Sequence, residues 1–347
     1  MTVELKQLKD QVMVITGASS GIGLTTARLA AERGARLVLA ARSENALRQL
    51  ADGIITAGGE AIYIVADVAN EEDIGRIADA AIDHFGGFDT WVNNAGVSLY
   101  GKLLDVPTED MRRLFETNFW GLVYGSLTAT RYLRRRGGAL INIGSTFSDR
   151  ATPLQGAYCA SKHAVKGFTD ALRVELESDR APVSVTLIKP AAVNTQYTRN
   201  AKNYLNVEPQ IPPPVYAPET VAHAILFCAE TPRRDLFVGA GGKALSVMGQ
   251  YAPRLTDKIM AMMFVRQQQS NRPPLPHDQN GLDRPSERLQ ERGDYEGHVA
   301  ESSLYTQAAL HPAVTGAVIG VGLAAAALWL TSDDGAKQHH VRKLTKR

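Results

Sequence analysis

The sequence predicts an α/β protein with a doubly wound parallel sheet of about seven strands and a C-terminal extension. From residue 11 to about residue 239, short runs of Val, Ile and Leu alternate with longer amphipathic stretches. This alternation is typical of β-α units whose parallel strands are buried on both faces. In addition, the first apolar run leads directly into a glycine-rich turn and then into a helical pattern, an order that is Rossmann-like.

The spacing of apolar residues predicts each element in turn. The strands are expected near Val12–Thr16, Arg36–Ala40, Ala61–Val65, Phe88–Asn93, Ala139–Ile143, Val183–Ile188 and Leu236–Val238. The helices are expected near residues 22–33, 44–57, 71–85, 108–135, 156–178 and 218–229. The long stretch Asn194–Pro214, which follows the sixth strand, predicts a lid or a binding loop.

A change in composition divides the chain into four parts. Residues 1–265 are expected to form the main domain. Residues 266–312 have a Gln-rich run followed by Pro-rich and charged sequence with little to bury, which predicts a disordered linker. Residues 313–330 carry no formal charge and predict an apolar helix, and residues 331–347 form a basic tail.

The bulk composition excludes several classes of protein. Two cysteines, Cys159 and Cys228, are too few for a disulfide framework and predict small buried residues in a reducing compartment. The N-terminal residues contain no apolar run of signal-peptide length, so we expect folding in the cytosol. Residues 331–347 contribute +3 to a net charge of +2, so the remainder carries −1 and is not a nucleic-acid-binding domain by charge.

The turn after the first strand, TGASSGIG at residues 16–23, predicts a phosphate-binding site. Its glycines let the backbone approach a pyrophosphate, and the amides at the start of the following helix favour negative charge. The residues predicted to bind a dinucleotide here are Gly17, Ser19, Ser20, Gly21, Ile22 and Gly23. The simpler alternative is that these glycines only close a surface turn.

The end of the second strand favours NADP(H) over NAD(H). Sites for NAD commonly carry an acidic residue here, which hydrogen-bonds the ribose 2′-hydroxyl. In this chain the strand ends at Ala40 and Ala41 and is followed by Arg42, whose guanidinium suits a 2′-phosphate. Alternatively, Arg42 is a solvated surface charge and Ser43 only caps the next helix.

Tyr158 and Lys162 are four residues apart in a helical pattern, so their side chains share one face. A free tyrosine ionises near pH 10, and acid–base work near neutrality needs a pKa lowered by about three units. We expect Lys162, together with the positive charge of an oxidised nicotinamide, to lower the pKa of Tyr158. Ser145, just past the fifth strand, is expected to hydrogen-bond the substrate oxygen.

These motifs resemble the short-chain dehydrogenase/reductase family over residues 11 to about 240. The matching motifs are TGASSGIG at 16–23, Asp67-Val68, Asn93-Asn94-Ala95-Gly96, Asn118, Ser145, and Tyr158 with Lys162. The resemblance implies that Asn118, Ser145, Tyr158 and Lys162 are the catalytic residues, and that Asn118 holds a water linking Lys162 to solvent.

The resemblance also extends the predicted cofactor site. It implies that Asp67 and Val68 contact the adenine, and that Asn94 with Ala95 and Gly96 supports the sheet and the ribose side. Where the family has Pro-Gly-x-Val-x-Thr, this chain has Pro190-Ala191-Ala192-Val193-Asn194-Thr195. Ala191 therefore replaces a glycine, but we expect Pro190, Val193 and Thr195 still to contact the cofactor.

The expected function is hydride transfer between NADP(H) and a carbonyl or alcohol substrate. The substrate pocket is expected from residues 98–102, 146–155, 194–214 and 251–265, the last with methionines that hint at an apolar substrate. His163 and His223 have no metal-like partners, so no metal site is predicted. The alternative is a cofactor-binding scaffold or redox sensor, which its tail recruits to a membrane or partner. Sugar-nucleotide epimerase chemistry is disfavoured by the glycine spacing and the short substrate region.

Residues 313–330 leave several arrangements open. A helix of this length spans roughly 27 Å, slightly less than a hydrocarbon core of about 30 Å. The basic tail favours the cytoplasmic side, so we expect a cytoplasmic protein with membrane association on that side as one option. The other option is a helix packed on the domain or on a second subunit. By resemblance, the long helices at 108–135 and 156–178 suggest a homo-oligomer.

Overall fold

The computed structural model describes residues 3–311 together with residues 315 and 317. Residues up to Thr306 belong to one compact unit, and residues from Gln307 onward to a second one. The apolar helix expected at 313–330 lies outside the described residues except for 315 and 317, as does the whole basic tail at 331–347. Within the described part of the chain, no helix is long and apolar enough to cross a membrane.

A sheet of seven parallel strands forms the centre of the first unit, which confirms the predicted fold class. Its strands are β1 (Val12–Thr16), β2 (Arg36–Ala41), β3 (Ala61–Val65), β4 (Thr90–Asn93), β6 (Gly138–Ile143), β7 (Val183–Pro190) and β11 (Asp235–Val238). Their order is β11-β7-β6-β4-β1-β2-β3, so the chain winds outward from β1 in both directions. Two small sheets contain the short strands β5 (Leu99–Tyr100), β8 (Ala192–Val193), β9 (Lys202–Asn203), β10 (Val215–Tyr216) and β12 (Val299–Ala300).

The six predicted helices agree with the structure to within two residues, with one exception, and four helices after residue 239 were not predicted. The described residues form eleven α-helices in all. They are α1 (Gly21–Glu32), α2 (Glu44–Thr56), α3 (Glu71–Phe85), α4 (Thr108–Phe115), α5 (Gly121–Leu133), α6 (Gly156–Ser178), α7 (Pro218–Glu230), α8 (Ala240–Tyr251), α9 (Pro253–Ile259), α10 (Val265–Gln267) and α11 (Leu304–Leu310). The exception is the helix predicted at 108–135, in which a π-helical segment, Glu116–Trp120, separates α4 from α5.

The core lies between the sheet and its helices. All five residues of β1 are buried, because helices cover both faces of the sheet. On one face, Trp91 packs in a cluster with Ile77 of α3 and Leu133 of α5. Cys159 and Cys228 are free thiols buried in the fold, as the sequence predicted. This packing fixes the carboxyl ends of the strands, where the candidate site lies.

Residues 266–306 were expected to be a disordered linker, but the structure places them in the same compact unit as the sheet. Gln268 is fully buried and Leu282 is 3% exposed. The Gln268 side-chain amide donates to the carbonyl of Pro153 at 3.0 Å, and Arg113 pairs with Asp283 at 2.6 Å. The low apolar content led to the prediction of disorder, but hydrogen bonds and ion pairs with the preceding part of the chain hold the segment in place.

Candidate active site

A cleft of about 490 Å³ lies at the carboxyl ends of the central strands, where ligands bind in open parallel sheets. Seventeen of the predicted site residues line it: Gly17, Ser19, Ser20, Gly21, Ile22, Arg42, Asp67, Val68, Asn94, Ala95, Gly96, Ser145, Tyr158, Lys162, Pro190, Val193 and Thr195. The other two, Gly23 and Asn118, do not line it. The fold therefore collects, in one place, residues that are far apart in the sequence.

The glycine turn depends on the missing side chains of its glycines. Gly17 and Gly21 have φ angles of +67° and +51°, which residues other than glycine rarely adopt. A β-carbon on Gly23 would lie 2.2 Å from the Gly17 carbonyl oxygen, so Gly23 permits close packing within the turn instead of lining the cleft. Asn94 holds the same turn, since its side-chain amide donates to the carbonyls of Thr16 and Gly17 at 3.0 and 3.2 Å.

Arg42 lines the cleft at the end of β2 and is not a free surface charge. Its guanidinium donates to the carbonyl of Gly281 and, more weakly, to those of Leu282 at 3.5 Å and Arg284 at 3.4 Å. Ser43 accepts a hydrogen bond from the Ala46 amide at 3.4 Å and caps α2. The capping role weighed for Ser43 is thus present, while Arg42 faces the cleft.

Tyr158 lies at the bottom of the cleft, near the start of α6. Burial raises its pKa to about 12, whereas hydrogen bonds with Ser145 and Tyr197 lower it. Ser145 follows β6 and accepts a hydrogen bond from the Phe147 amide at 3.1 Å, which orients its hydroxyl. The two hydroxyls that the sequence singled out are therefore brought together.

Lys162 lies one turn along α6, with its ammonium nitrogen 5.7 Å from the centre of the Tyr158 ring. The nitrogen donates to the Ile143 carbonyl at 2.8 Å. Burial lowers the pKa of Lys162 to about 8. Burial is the largest effect on both groups and disfavours their charged forms. The expectation that Lys162, together with a bound oxidised nicotinamide, lowers the pKa of Tyr158 stays a prediction.

Asn118 lies in the π-helical segment and is 1% exposed. Its side-chain oxygen accepts from the Val97 amide at 2.8 Å, and its amide donates to the Val97 carbonyl at 2.9 Å. The amide also donates to Ser161 Oγ at 3.3 Å. Asn118 thus connects the segment after β4 to α6 directly behind Tyr158.

Tyr197 was not singled out from the sequence, although it lies in a stretch predicted to line the pocket. Its hydroxyl donates to Gln155 Oε1 at 2.7 Å and accepts from Ser98 Oγ at 2.8 Å. Its ring lies edge-on to that of Tyr158, with centroids 5.5 Å apart. The only signal in the sequence was its position two residues after Thr195, because its partners are distant in the chain.

The outer wall of the cleft is largely apolar. Each of the four stretches expected to line the pocket contributes, and α8 adds further residues. Apolar side chains here are Phe147, Ile211, Leu245, Met248, Ile259 and Phe264. Of the methionines that suggested an apolar pocket, Met260 is buried but does not line the cleft, while Met262 and Met263 are exposed. In the described part of the chain, no group of three His, Cys, Asp or Glu side chains could hold a metal ion.

Comparison with known proteins places this geometry in a family. The model of the short chain dehydrogenase family matches residues 11–205, which include β1, the glycine turn, Ser145, Tyr158 and Lys162. The chain belongs to the short-chain dehydrogenase/reductase family. This short-chain dehydrogenase is 49% identical over 320 residues to an uncharacterized oxidoreductase, YxnA, of Bacillus subtilis, with 91% of this chain and 90% of the relative covered.

Two solved structures resemble this short-chain dehydrogenase. A short chain dehydrogenase/reductase from Burkholderia phymatum, in complex with NAD, is 26% identical with a TM-score of 0.64 and covers 74% of this chain and 96% of its own. An alcohol dehydrogenase from the archaeon Thermococcus sibiricus, complexed with 5-hydroxy-NADP, is 26% identical with a TM-score of 0.58 and covers 65% and 95%. Both similarities extend over almost all of the solved chain.

Proposed function

We propose that this short-chain dehydrogenase uses NADP(H) to interconvert a carbonyl and an alcohol, with Tyr158 as the general acid and base. The observation that carries the proposal is the meeting of the Ser145 and Tyr158 hydroxyls in a cleft that begins at the glycine turn. Lys162 lies within one helical turn of Tyr158, and Asn118 supports the helix from behind.

The state of Tyr158 favours reduction of a carbonyl. With a pKa raised to about 12, the phenol keeps its proton near neutrality and can donate it to a substrate oxygen. Ser145 is placed to hydrogen-bond the same oxygen and to hold it against Tyr158. Bound in this cleft, the nicotinamide would supply the hydride. Lys162, Ser145 and Asn118 then position and stabilise the proton donor.

The choice of NADP(H) depends on Arg42. The two solved relatives hold NAD and 5-hydroxy-NADP, so the family resemblance alone does not select either cofactor. Arg42 lines the cleft at the end of β2, and its partners there are neutral carbonyls. A phosphate dianion is a stronger partner for a guanidinium than a carbonyl is, which favours a cofactor with a 2′-phosphate.

Measured dissociation constants test this choice. We expect Arg42→Ala to weaken NADPH binding about tenfold and to leave NADH binding nearly unchanged, because one charge-assisted contact is lost. Arg48→Ala is the matched control, since Arg48 is an exposed residue of α2 that pairs with Glu44. Equal affinity for NADPH and NADH in the unmodified protein would contradict the proposal.

The apolar outer wall favours a carbonyl substrate with an apolar body. The experiment is turnover of NADPH with a panel of ketones, aldehydes and lipid-like or steroid-like carbonyls, run beside Tyr158→Phe. We expect this variant to bind the cofactor normally and to lose about 10²–10⁴-fold in kcat. If the protein binds NADPH but turns over none of the panel, the scaffold or sensor function is favoured instead.

Membrane association through residues 313–330 and formation of a homo-oligomer remain predictions. Fractionation of cells that produce the full chain or residues 1–311, followed by a carbonate wash, tests the first. If both chains stay in the washed supernatant, the membrane option is excluded.

A further inference from the structure

Residues 280–294, here called the strap, run along the cofactor side of the cleft. Composition predicted no structure for them, yet Gly281, Pro285 and Ser286 line the cleft together with the glycine turn and Arg42. Contacts with the rest of the chain anchor the strap at both ends.

One anchor binds the strap to the helix that follows the glycine turn. The Gly21 amide, at the start of α1, donates to the carbonyl of Gln290 at 2.9 Å. The next strap residue, Glu291, accepts a hydrogen bond from Thr25 Oγ1 at 3.2 Å and forms an ion pair with Arg28. An amide that suits a phosphate oxygen is thus engaged by a neutral carbonyl.

The second anchor lies at the opposite end of the strap, where Arg42 donates to the carbonyls of residues 281, 282 and 284. At the same end, Asp283 pairs with Arg113 at 2.6 Å and with Lys202 at 3.0 Å. The groups that the strap occupies, Gly21 N–H and the Arg42 guanidinium, are those that the two phosphate-bearing parts of NADP(H) would use.

The strap also reaches the substrate side of the cleft. Gln196 donates to the carbonyl of Arg292 at 2.7 Å. A β-carbon on Gly293 would lie 2.3 Å from the Thr195 carbonyl oxygen, so the two backbones are in close contact. The strap therefore follows the cleft from the predicted adenosine end to the predicted nicotinamide end.

We propose that the strap covers part of the dinucleotide-binding site, and that the cofactor binds fully only after the strap releases Gly21 and Arg42. This proposal rests on the proposed function, because it requires that the cleft bind a phosphate-bearing dinucleotide. Phosphate oxygens compete with neutral carbonyls for the same donors. Cofactor binding and strap release are thereby coupled, and the ion pair at Glu291 sets how often the strap opens.

The experiment measures the association and dissociation rate constants of NADPH by stopped-flow fluorescence, with the full chain. We expect Glu291→Ala to raise the association rate constant about threefold to tenfold and to leave the dissociation rate constant nearly unchanged, because an ion pair and a hydrogen bond that hold the strap over the donors are lost. Glu296→Ala is the matched control, since Glu296 pairs with Arg272 in the same extension but outside the strap. Thermal unfolding of each variant checks that it is folded.

A second variant holds the strap closed. In Arg28→Cys/Glu291→Cys, a short bifunctional maleimide joins the strap to α1, and we expect the association rate constant to fall at least about tenfold relative to the unreacted variant. The unmodified protein treated with the same reagent is the control, because Cys159 and Cys228 are buried. Rates that are equal before and after cross-linking would overturn the role of the strap and leave the proposed function intact. If the unmodified protein binds neither NADPH nor NADH, both proposals fail.

Discussion

Lys162 is a buried cation with a single protein hydrogen bond described, to the Ile143 carbonyl. Its side chain is 5% exposed, and burial lowers its pKa from 10.5 to about 8. Near neutrality the folded protein must therefore bury a charge that the unfolded chain exposes to water. An apolar residue would avoid this cost in stability, which is what the proposed role of Lys162 beside Tyr158 leads us to expect.

Replacement of this cation should increase stability and abolish activity. We expect Lys162→Met to raise the free energy of unfolding by about 2 kcal/mol near pH 7, since the desolvation cost exceeds the one hydrogen bond lost. The folded-state pKa lies below the unfolded one, so the original protein regains stability as pH rises from about 8 to 10.5. Urea unfolding at both ends of this range should show the difference shrink. A methionine variant less stable near neutrality would contradict the account.

Tyr197 places a third hydroxyl next to the proposed proton donor. Tyr197→Phe removes a hydrogen bond that lowers the pKa of Tyr158. Alcohol oxidation needs Tyr158 to accept a proton, so we expect its pH–rate profile to move to higher pH and kcat to fall about tenfold. Tyr63→Phe is the control, because the Tyr63 hydroxyl forms an exposed hydrogen bond with Arg48 at 3.5 Å. An unchanged pH profile in Tyr197→Phe would show that the hydroxyl has only a packing role.

At the scale of elements, most strands and helices could be predicted because burial imposes a period on the sequence. The strands β1 and β7 are buried throughout and mainly apolar because both faces of the sheet are covered, although β7 includes Ser184, Thr186 and Lys189. The π-helical segment Glu116–Trp120 could not be predicted, since it continues the helical period and contains no proline or glycine of its own. The strap was missed because hydrogen bonds to distant residues, and not its own apolar residues, hold it in place.

The same limit applies to the candidate site. Local motifs predicted Gly17, Ser145, Tyr158 and Lys162, since the residues that indicate their roles are close to them in the sequence. The contact of Tyr197 with Ser98 joins residues 99 positions apart, and that of Gln155 with Gln268 joins residues 113 apart. No periodicity reports such pairs, so only the folded chain shows that they meet next to Tyr158.

Close packing at Gly23 makes the glycine turn sensitive to an added β-carbon. We expect Gly23→Ala to weaken cofactor binding at least about tenfold and to destabilise the fold by about 1–3 kcal/mol, because its β-carbon would overlap the Gly17 carbonyl. Gly53→Ala in α2 is the matched substitution, since its β-carbon would meet nothing within 4 Å. That change should raise stability by about 0.5–1 kcal/mol. Calorimetric titration and thermal unfolding measure both effects.

At the scale of the whole molecule, the extension after α10 is an integral part of the first unit. Gln268, Leu282 and Thr306 are each at least nine-tenths buried. The strap and the pairing of β12 with β10 join this extension to the substrate side of the cleft. Loss of the extension would expose apolar and hydrogen-bonding surface at the site itself.

Two truncations separate this interpretation from that of a disordered linker. We expect the melting temperature of residues 1–311 to be close to that of the full chain. That of residues 1–265 should be about 5–10 °C lower, because buried contacts of the extension are lost. The shorter chain should also bind cofactor more weakly. Equal melting temperatures for the two truncated chains would restore the linker interpretation for residues 266–306.

The burial of the two thiols lowers their reactivity with oxidants. Burial raises the pKa of Cys159 to about 11 and that of Cys228 to about 12, and only the thiolate reacts readily with peroxide. Although Cys159 is the neighbour of Tyr158 in the chain, it stays protonated and out of reach. Under oxidative stress we therefore expect the proposed carbonyl reduction to slow because NADPH is depleted, and not because Cys159 or Cys228 is oxidised.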